Sequence, residues 1–279
     1  MTHIIRNAFR IYIRRFSLYL TLLSPVVIPT ILLHIIGRYA NFGELAPVFT
    51  TIFGVILNIV TLFVLLSLIT ASAAMESLNP VRARIVFRDA FSRSIPFLAL
   101  FIIVSLITFS VPAFLAIIGQ KIENAYSLTF LSIISASWII AVTLLSLFAS
   151  YIFVIEKQGP IKSIKGSVTL FLHHPLKTSL LLICILLVTI MISLVVAILT
   201  TLIIAVITHQ TDILFNPELA ESLSPWWKDL IVSIYAYLGL PYLVIATTSL
   251  FQNTRAESEE LLENHELKTG NRIGNSRPA

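Results

Sequence analysis

The chain has 279 residues, of which 57% are hydrophobic and only 12% charged, with a formal net charge of +5. Soluble domains carry roughly 25% charged residues, so a soluble globular class is excluded, and a nucleic-acid surface with it. The basic excess fits instead the gathering of Lys and Arg on the cytoplasmic side of a membrane.

In chain order, Thr2 to Arg15 reads as an amphipathic helix. Arg6, Arg10 and Arg14 form one stripe, and Ile5, Ala8, Phe9, Tyr12 and Phe16 form the other. Six apolar runs follow, at about 16–36, 47–70, 96–118, 128–155, 179–207 and 230–251. Each is long enough to cross roughly 30 Å of hydrocarbon. Pro25 and Pro29 should kink the first, Pro112 the third and Pro241 the sixth. The fold class expected is therefore an all-α polytopic membrane protein with a six-span domain over 1–251. A cytoplasmic tail, 252–279, is acidic at first (Glu257, Glu259, Glu260, Glu263, Glu266) and then reads as disordered.

Orientation follows from the basic residues. Four Lys or Arg lie in each of the N-terminal segment, the second loop, the fourth loop and the tail. One each (Arg38, Lys121, Lys228) lies in the remaining loops, which accounts for all 19. The positive-inside rule then puts both termini in the cytoplasm, and the reading is a prokaryotic inner-membrane protein.

The longest structured polar interruption is Glu156 to Thr178. Gly159-Pro160 opens a helix there and His174-Pro175 closes it. Ile161, Ile164, Val168, Phe171 and Leu172 recur at helical spacing, with Lys162, Lys165, Thr169 and His173 opposite. A short basic amphipathic helix of this kind belongs in the headgroup layer. Asn79-Pro80-Val81-Arg82 resembles its start, Phe91 matches Phe171 in offset, and Pro96 matches Pro175. The expectation is three units, each an interfacial helix feeding a two-span hairpin, with the N-terminal helix as the first. Arg82, Arg84, Arg88, Lys162 and Lys165 on two of these helices are the candidate contacts to anionic headgroups.

The chemistry is otherwise sparse. No ionisable residue sits at the centre of a span, where ion-coupled transporters and intramembrane enzymes place one. Asn58 is the one strongly polar amide well inside a span, and a helix–helix hydrogen bond is the expected use. His173-His174 lacks a neighbouring Cys or carboxylate to complete a metal shell. No catalytic constellation, cofactor site or metal site is expected. Lipid is the expected partner, and the acidic tail suits a protein partner.

The run Glu156, Gly159, Pro160, Ile161, Lys162, Ser163, Ile164, Lys165, Gly166, Ser167 resembles a pattern of Glu, Gly, then a small residue and Ser one turn apart. That pattern belongs to a group of prokaryotic six-span proteins, which includes the membrane domain fused to some glycerophosphoryl diester phosphodiesterases. Ser163 stands where Ala is usual in that group. The resemblance implies a six-span fold and a membrane-anchoring role in the fused members. The polar tail is too short for a hydrolase barrel of roughly 250 residues, so no phosphodiesterase activity carries over. Two functions follow as expectations: a membrane scaffold or lipid-interacting protein, and alternatively a permease for lipids or small molecules.

Orientation is directly testable. Single cysteines at Ser92 and Asn216, in a Cys184→Ala background, should be labelled from the cytoplasmic and the outer side respectively. Labelling of Ser92→Cys from outside would overturn the topology.

Overall fold

Apolar segments in hydrocarbon satisfy their backbone groups internally, and for single segments the helix is the solution. The computed structural model describes residues 2–39, 46–76, 82–120, 124–208 and 227–274. All its elements there are helices: α1 (Thr2–Arg14), α2 (Phe16–Tyr39), α3 (Ala46–Glu76), α4 (Ala83–Gly119), α5 (Ala125–Ser146), α6 (Ala149–Ile155), α7 (Pro160–His173), α8 (Pro175–Thr208) and α9 (Trp227–Gly274). Large exposed apolar side chains, among them Ile56, Leu106, Phe109, Phe130 and Leu187, coat the long helices. In water that surface would be an aggregation hazard, and in lipid it is solvated. The chain is an all-helical, multi-pass membrane protein.

The span count differs from expectation. Among the described residues, Phe16–Leu33, Thr51–Met75, Ala83–Gly119 and Tyr126–Ile155 are long and apolar enough to cross a membrane. A fifth is counted only if α7 and Thr178–Ile185, which meet at 101°, are one broken span. The shortfall from six falls on the last third of the chain. There α8 leaves α7 at this bend, and the run 230–251 is only the first part of a much longer helix, α9.

Three boundaries also move. Pro96 does not end a helix, because α4 runs through both Pro96 and Pro112; neighbouring groups in a membrane re-satisfy what proline frees. The run 128–155 is broken, at Leu147-Phe148, between α5 and α6. The tail continues α9 to Gly274 rather than ending after its acidic patch. Good helix formers such as Glu and Leu carry the helix on, and Arg255 supports it by pairing with Glu259 one turn later at 2.8 Å. The Pro80 end of the expected repeat, the Lys121 loop and the loop 209–226 with Trp226 lie outside the described residues.

The chain divides into two compact units, residues 1–91 with 182–247 and residues 92–181 with 248–279. In the first, α2 and α3 pack along each other. Tyr19, Leu22, Leu23 and Val26 are buried from α2, and Val64, Leu66, Leu68 and Ile69 from α3. Tyr19 Oη donates to Met75 Sδ at 3.5 Å. Phe63 stacks on Phe87 of α4 with ring centroids 5.8 Å apart. Ala8 is the fully buried residue of α1, whereas Phe9 and Phe16 of the expected apolar stripe are exposed.

Polar side chains donate at or beside two of the carbonyls that prolines strand in this unit. Pro25 leaves the Thr21 carbonyl without its amide donor, and Ser24 Oγ donates to that carbonyl at 2.8 Å. Pro241 does the same to the Tyr237 carbonyl, and Tyr12 Oη donates to the adjacent Leu238 carbonyl at 2.9 Å. Asn58 Nδ2 donates to Gly54 O, 2.9 Å away in its own helix. The expected helix–helix bond from Asn58 is therefore replaced by a local one, which keeps an exposed amide satisfied in lipid.

Tyr12→Phe removes the bond to the Leu238 carbonyl beside Pro241 while keeping the ring. It should lower stability in detergent or bicelles by about 0.5–1.5 kcal/mol, read as a shift in the unfolding midpoint. No shift would mean that the Leu238 carbonyl does not depend on Tyr12.

Candidate functional site

The second unit is built around the corner that α5, α6 and α7 form. Lys157, just past α6, adopts φ 57°. That left-handed conformation is disfavoured for residues with a Cβ, and here it follows the helix end and turns the chain. Gly159 then caps α7 with extended backbone and Pro160 takes its first turn. Glu156 Oε2 accepts from Gln158 Nε2 at 2.8 Å. Its Oε1 lies 3.5 Å from Arg255 Nε, an ion-pair distance, and has no aligned hydrogen bond.

Helix α7 has three faces rather than two. Ser163, Ser167, Leu170 and Phe171 are buried, Lys162 and Lys165 are exposed, and so are the large Ile161 and Leu172. The apolar stripe read from the sequence is thus divided, with Phe171 buried and Ile161 and Leu172 exposed. Small residues set the inner face because they permit close approach. A Cβ added at Gly166 would sit 3.2 Å from Ile152 Cδ1.

Ser167 closes the break between α5 and α6. Its Oγ donates to the Leu145 carbonyl at 2.7 Å and accepts from the Phe148 amide at 3.1 Å. One hydroxyl thereby serves a donor and an acceptor that an unbroken helix would have paired itself. Ser163, by contrast, donates to Gly159 O in its own helix at 3.0 Å. Around the corner, Arg93 Nη1 donates to the Val154 carbonyl at 3.2 Å, placing a cation at the C-terminal end of α6. Phe251 of α9 packs between Phe148 and Tyr151, at 5.7 and 6.2 Å, and Phe153 packs on Phe97 at 5.7 Å.

The motif at Glu156 to Ser167 therefore acts in packing. His173 Nδ1 lies 2.7 Å from the Thr169 carbonyl of its own helix. Among the described residues no group of three or more His, Cys, Asp or Glu gathers as metal ligands would.

The candidate headgroup residues fall in two sets. In the first unit, Arg82 precedes α4, and its carbonyl accepts from the Ile85 and Val86 amides at 3.0 and 3.3 Å. Arg84 and Arg88 follow one turn apart and are exposed. With Ile85 they line an open cleft of about 420 Å³. Among the described residues neither guanidinium makes an ion pair or hydrogen bond. The first turn of α4 holds no acidic residue, so Arg84 sits at the positive end of the helix dipole without a carboxylate in that turn. Lys162 and Lys165, in the second unit, stand on the exposed side of α7.

Phe91, three residues past Arg88, is 75% exposed, whereas Phe171 is 9% exposed. With α4 also unbroken at Pro96, the two segments are not equivalent, and the expected repeat fails on these residues. Sequence reasoning passed over Ile85 as a cleft residue and Ser167 as a bridge. The signal for Ser167 was present in Ser163, Gly166 and Ser167 at three- and four-residue spacing. No protein-family model, curated protein or solved structure matches this chain.

Ser167→Ala should destabilise the fold by about 1–3 kcal/mol, because it strands a buried donor and acceptor. Ser163→Ala should cost less, since only a bond within α7 is lost. Equal unfolding midpoints for the two variants would refute the bridging role.

Proposed function

We propose that this protein is a non-catalytic, lipid-interacting scaffold of a prokaryotic inner membrane. Both termini are cytoplasmic, and α8 and the apolar first part of α9 supply the fifth and sixth spans. The distribution of Lys and Arg across the loops supports the orientation. The observation that carries the lipid reading is the cleft at the start of α4. There Arg84 and Arg88 stand exposed beside Ile85, with no carboxylate partner among the described residues. Lys162 and Lys165, flanked on α7 by exposed Ile161 and Leu172, supply a second basic surface bordered by lipid-facing side chains. A cation next to apolar surface suits the boundary between headgroups and acyl chains.

The tail helix, with Glu257, Glu259 and Glu260 beyond the last apolar run, supports a role in holding a protein partner. Membership of the six-span group resembled at Glu156 to Ser167 is part of this proposal, supported by those motif residues alone.

Substituting Arg82, Arg84, Arg88, Lys162 and Lys165 by Gln should lower the anionic fraction of co-purifying lipid. Each basic group near an anionic surface contributes about 1 kcal/mol, so the loss should be readily seen by lipid mass spectrometry. An unchanged anionic fraction would overturn the lipid reading.

A further inference from the structure

We infer that the Arg84–Arg88 cleft is a discrete site for a single lipid whose headgroup is a phosphate monoester, of the phosphatidic-acid type. The inference rests on the lipid reading above and narrows it from a basic surface to one site and one headgroup class.

Residues four apart on a helix stand on the same side, with Cβ atoms about 5–6 Å apart. Each guanidinium presents five N–H donors in a fixed fork suited to phosphate oxygens. The cleft therefore offers two permanent positive charges on one side of α4, lined by Arg84, Ile85 and Arg88. A phosphate monoester carries about −1.5 to −2 charges at neutral pH and three acceptor oxygens, which matches two guanidiniums in both charge and geometry. A phosphate diester has one charge and only two free oxygens. Its headgroup substituent would also need polar partners, which the described lining does not supply. A zwitterionic headgroup would need a carboxylate for its ammonium. Asp89 is exposed and follows Arg88 directly, but it is not among the residues lining the cleft.

The apolar side of the cleft favours a lipid over a soluble phosphate ester. Ile85 lines it, and Phe91, one turn beyond Arg88 toward the apolar run, is largely exposed. Free phosphate would use neither side chain, whereas the glycerol and first acyl carbons of a lipid would lie against both. Volumes of roughly 300–1,000 Å³ are usual for small-molecule sites, and the cleft of about 420 Å³ falls within that range. Lys162 and Lys165 on α7 are exposed point charges without the guanidinium fork, so they attract anionic lipid without matching the oxygens of a phosphate monoester.

The test is lipid retention by the full chain in phosphatidylcholine nanodiscs doped equally with phosphatidic acid and phosphatidylglycerol, read by native mass spectrometry. One phosphatidic acid per chain should be retained about tenfold over phosphatidylglycerol, equivalent to about 1.4 kcal/mol. The Arg84→Lys/Arg88→Lys variant keeps the charge but loses the fork, and the preference should fall severalfold, while Arg84→Gln/Arg88→Gln should abolish it. Lys162→Gln/Lys165→Gln should leave it intact, and soluble glycerol 3-phosphate should not displace the lipid. All four substituted side chains are exposed, and a monodisperse elution profile verifies the fold of each variant. Equal retention of the two lipids, or a preference undiminished in the double Lys variant, would overturn the site while leaving the broader lipid reading in place. Displacement by glycerol 3-phosphate would also overturn it, in favour of a soluble ester. Enrichment of neither anionic lipid over phosphatidylcholine would defeat the lipid reading itself.

Discussion

A carbonyl or amide without a partner costs several kcal/mol in hydrocarbon, and at several of the helix irregularities here a polar side chain donates to the carbonyl left open or to one beside it. Ser24 serves the carbonyl that Pro25 strands, Tyr12 reaches the carbonyl beside the one that Pro241 strands, and Ser167 bridges the gap between α5 and α6. Trp138 Nε1 donates to Ile107 O at 3.1 Å, next to the carbonyl of Thr108 that Pro112 leaves open. Other Ser and Thr in the spans bond the carbonyl one turn back in their own helix, as Thr61, Ser67, Thr70 and Ser72 do in α3.

The same constraint explains why hydrophobicity alone does not separate inside from outside. In water, an apolar stripe points to the core because only the core is apolar. In a bilayer, lipid and core are equivalent destinations, and helices associate instead through close packing. On α7 the buried side is Ser163, Ser167 and Leu170, while Ile161 and Leu172 face outward. On α9, residues from Tyr242 to Phe251 are buried nearly all round, which the apolar content of that run does not distinguish from the lipid-facing runs.

This difference sets what was legible from the sequence. Membrane class and helical content followed from length and apolar content, which lipid dictates directly. The corner at Gly159-Pro160 and its closure at His174-Pro175 were legible because Gly and Pro act on the backbone whatever surrounds it. The break at Leu147-Phe148 was not legible, since its stabilising group lies some twenty residues away on another helix. Pro96 misled because its usual meaning as a terminator assumes water, where freed backbone groups are solvated at little cost. The basic residues at 82, 84, 88, 162 and 165 stand out in the sequence as two clusters. Their division between a cleft on α4 and an open helix face on α7 depends on packing that residue spacing does not encode.

The Ser167 bridge has a consequence for how this region tolerates change over evolutionary time. Both of its partners are main-chain atoms, the carbonyl of residue 145 and the amide of residue 148. Their side chains take no part in the bond, so Leu145 can be exchanged without touching it, and Phe148 is constrained only by its packing. Position 167 has no such freedom, because a short hydroxyl is what supplies a donor and an acceptor from one atom. Constraint on the break is therefore lopsided. Drift is permitted at the discontinuity itself, while the restriction is stored on the neighbouring helix, in a residue whose own backbone is regular.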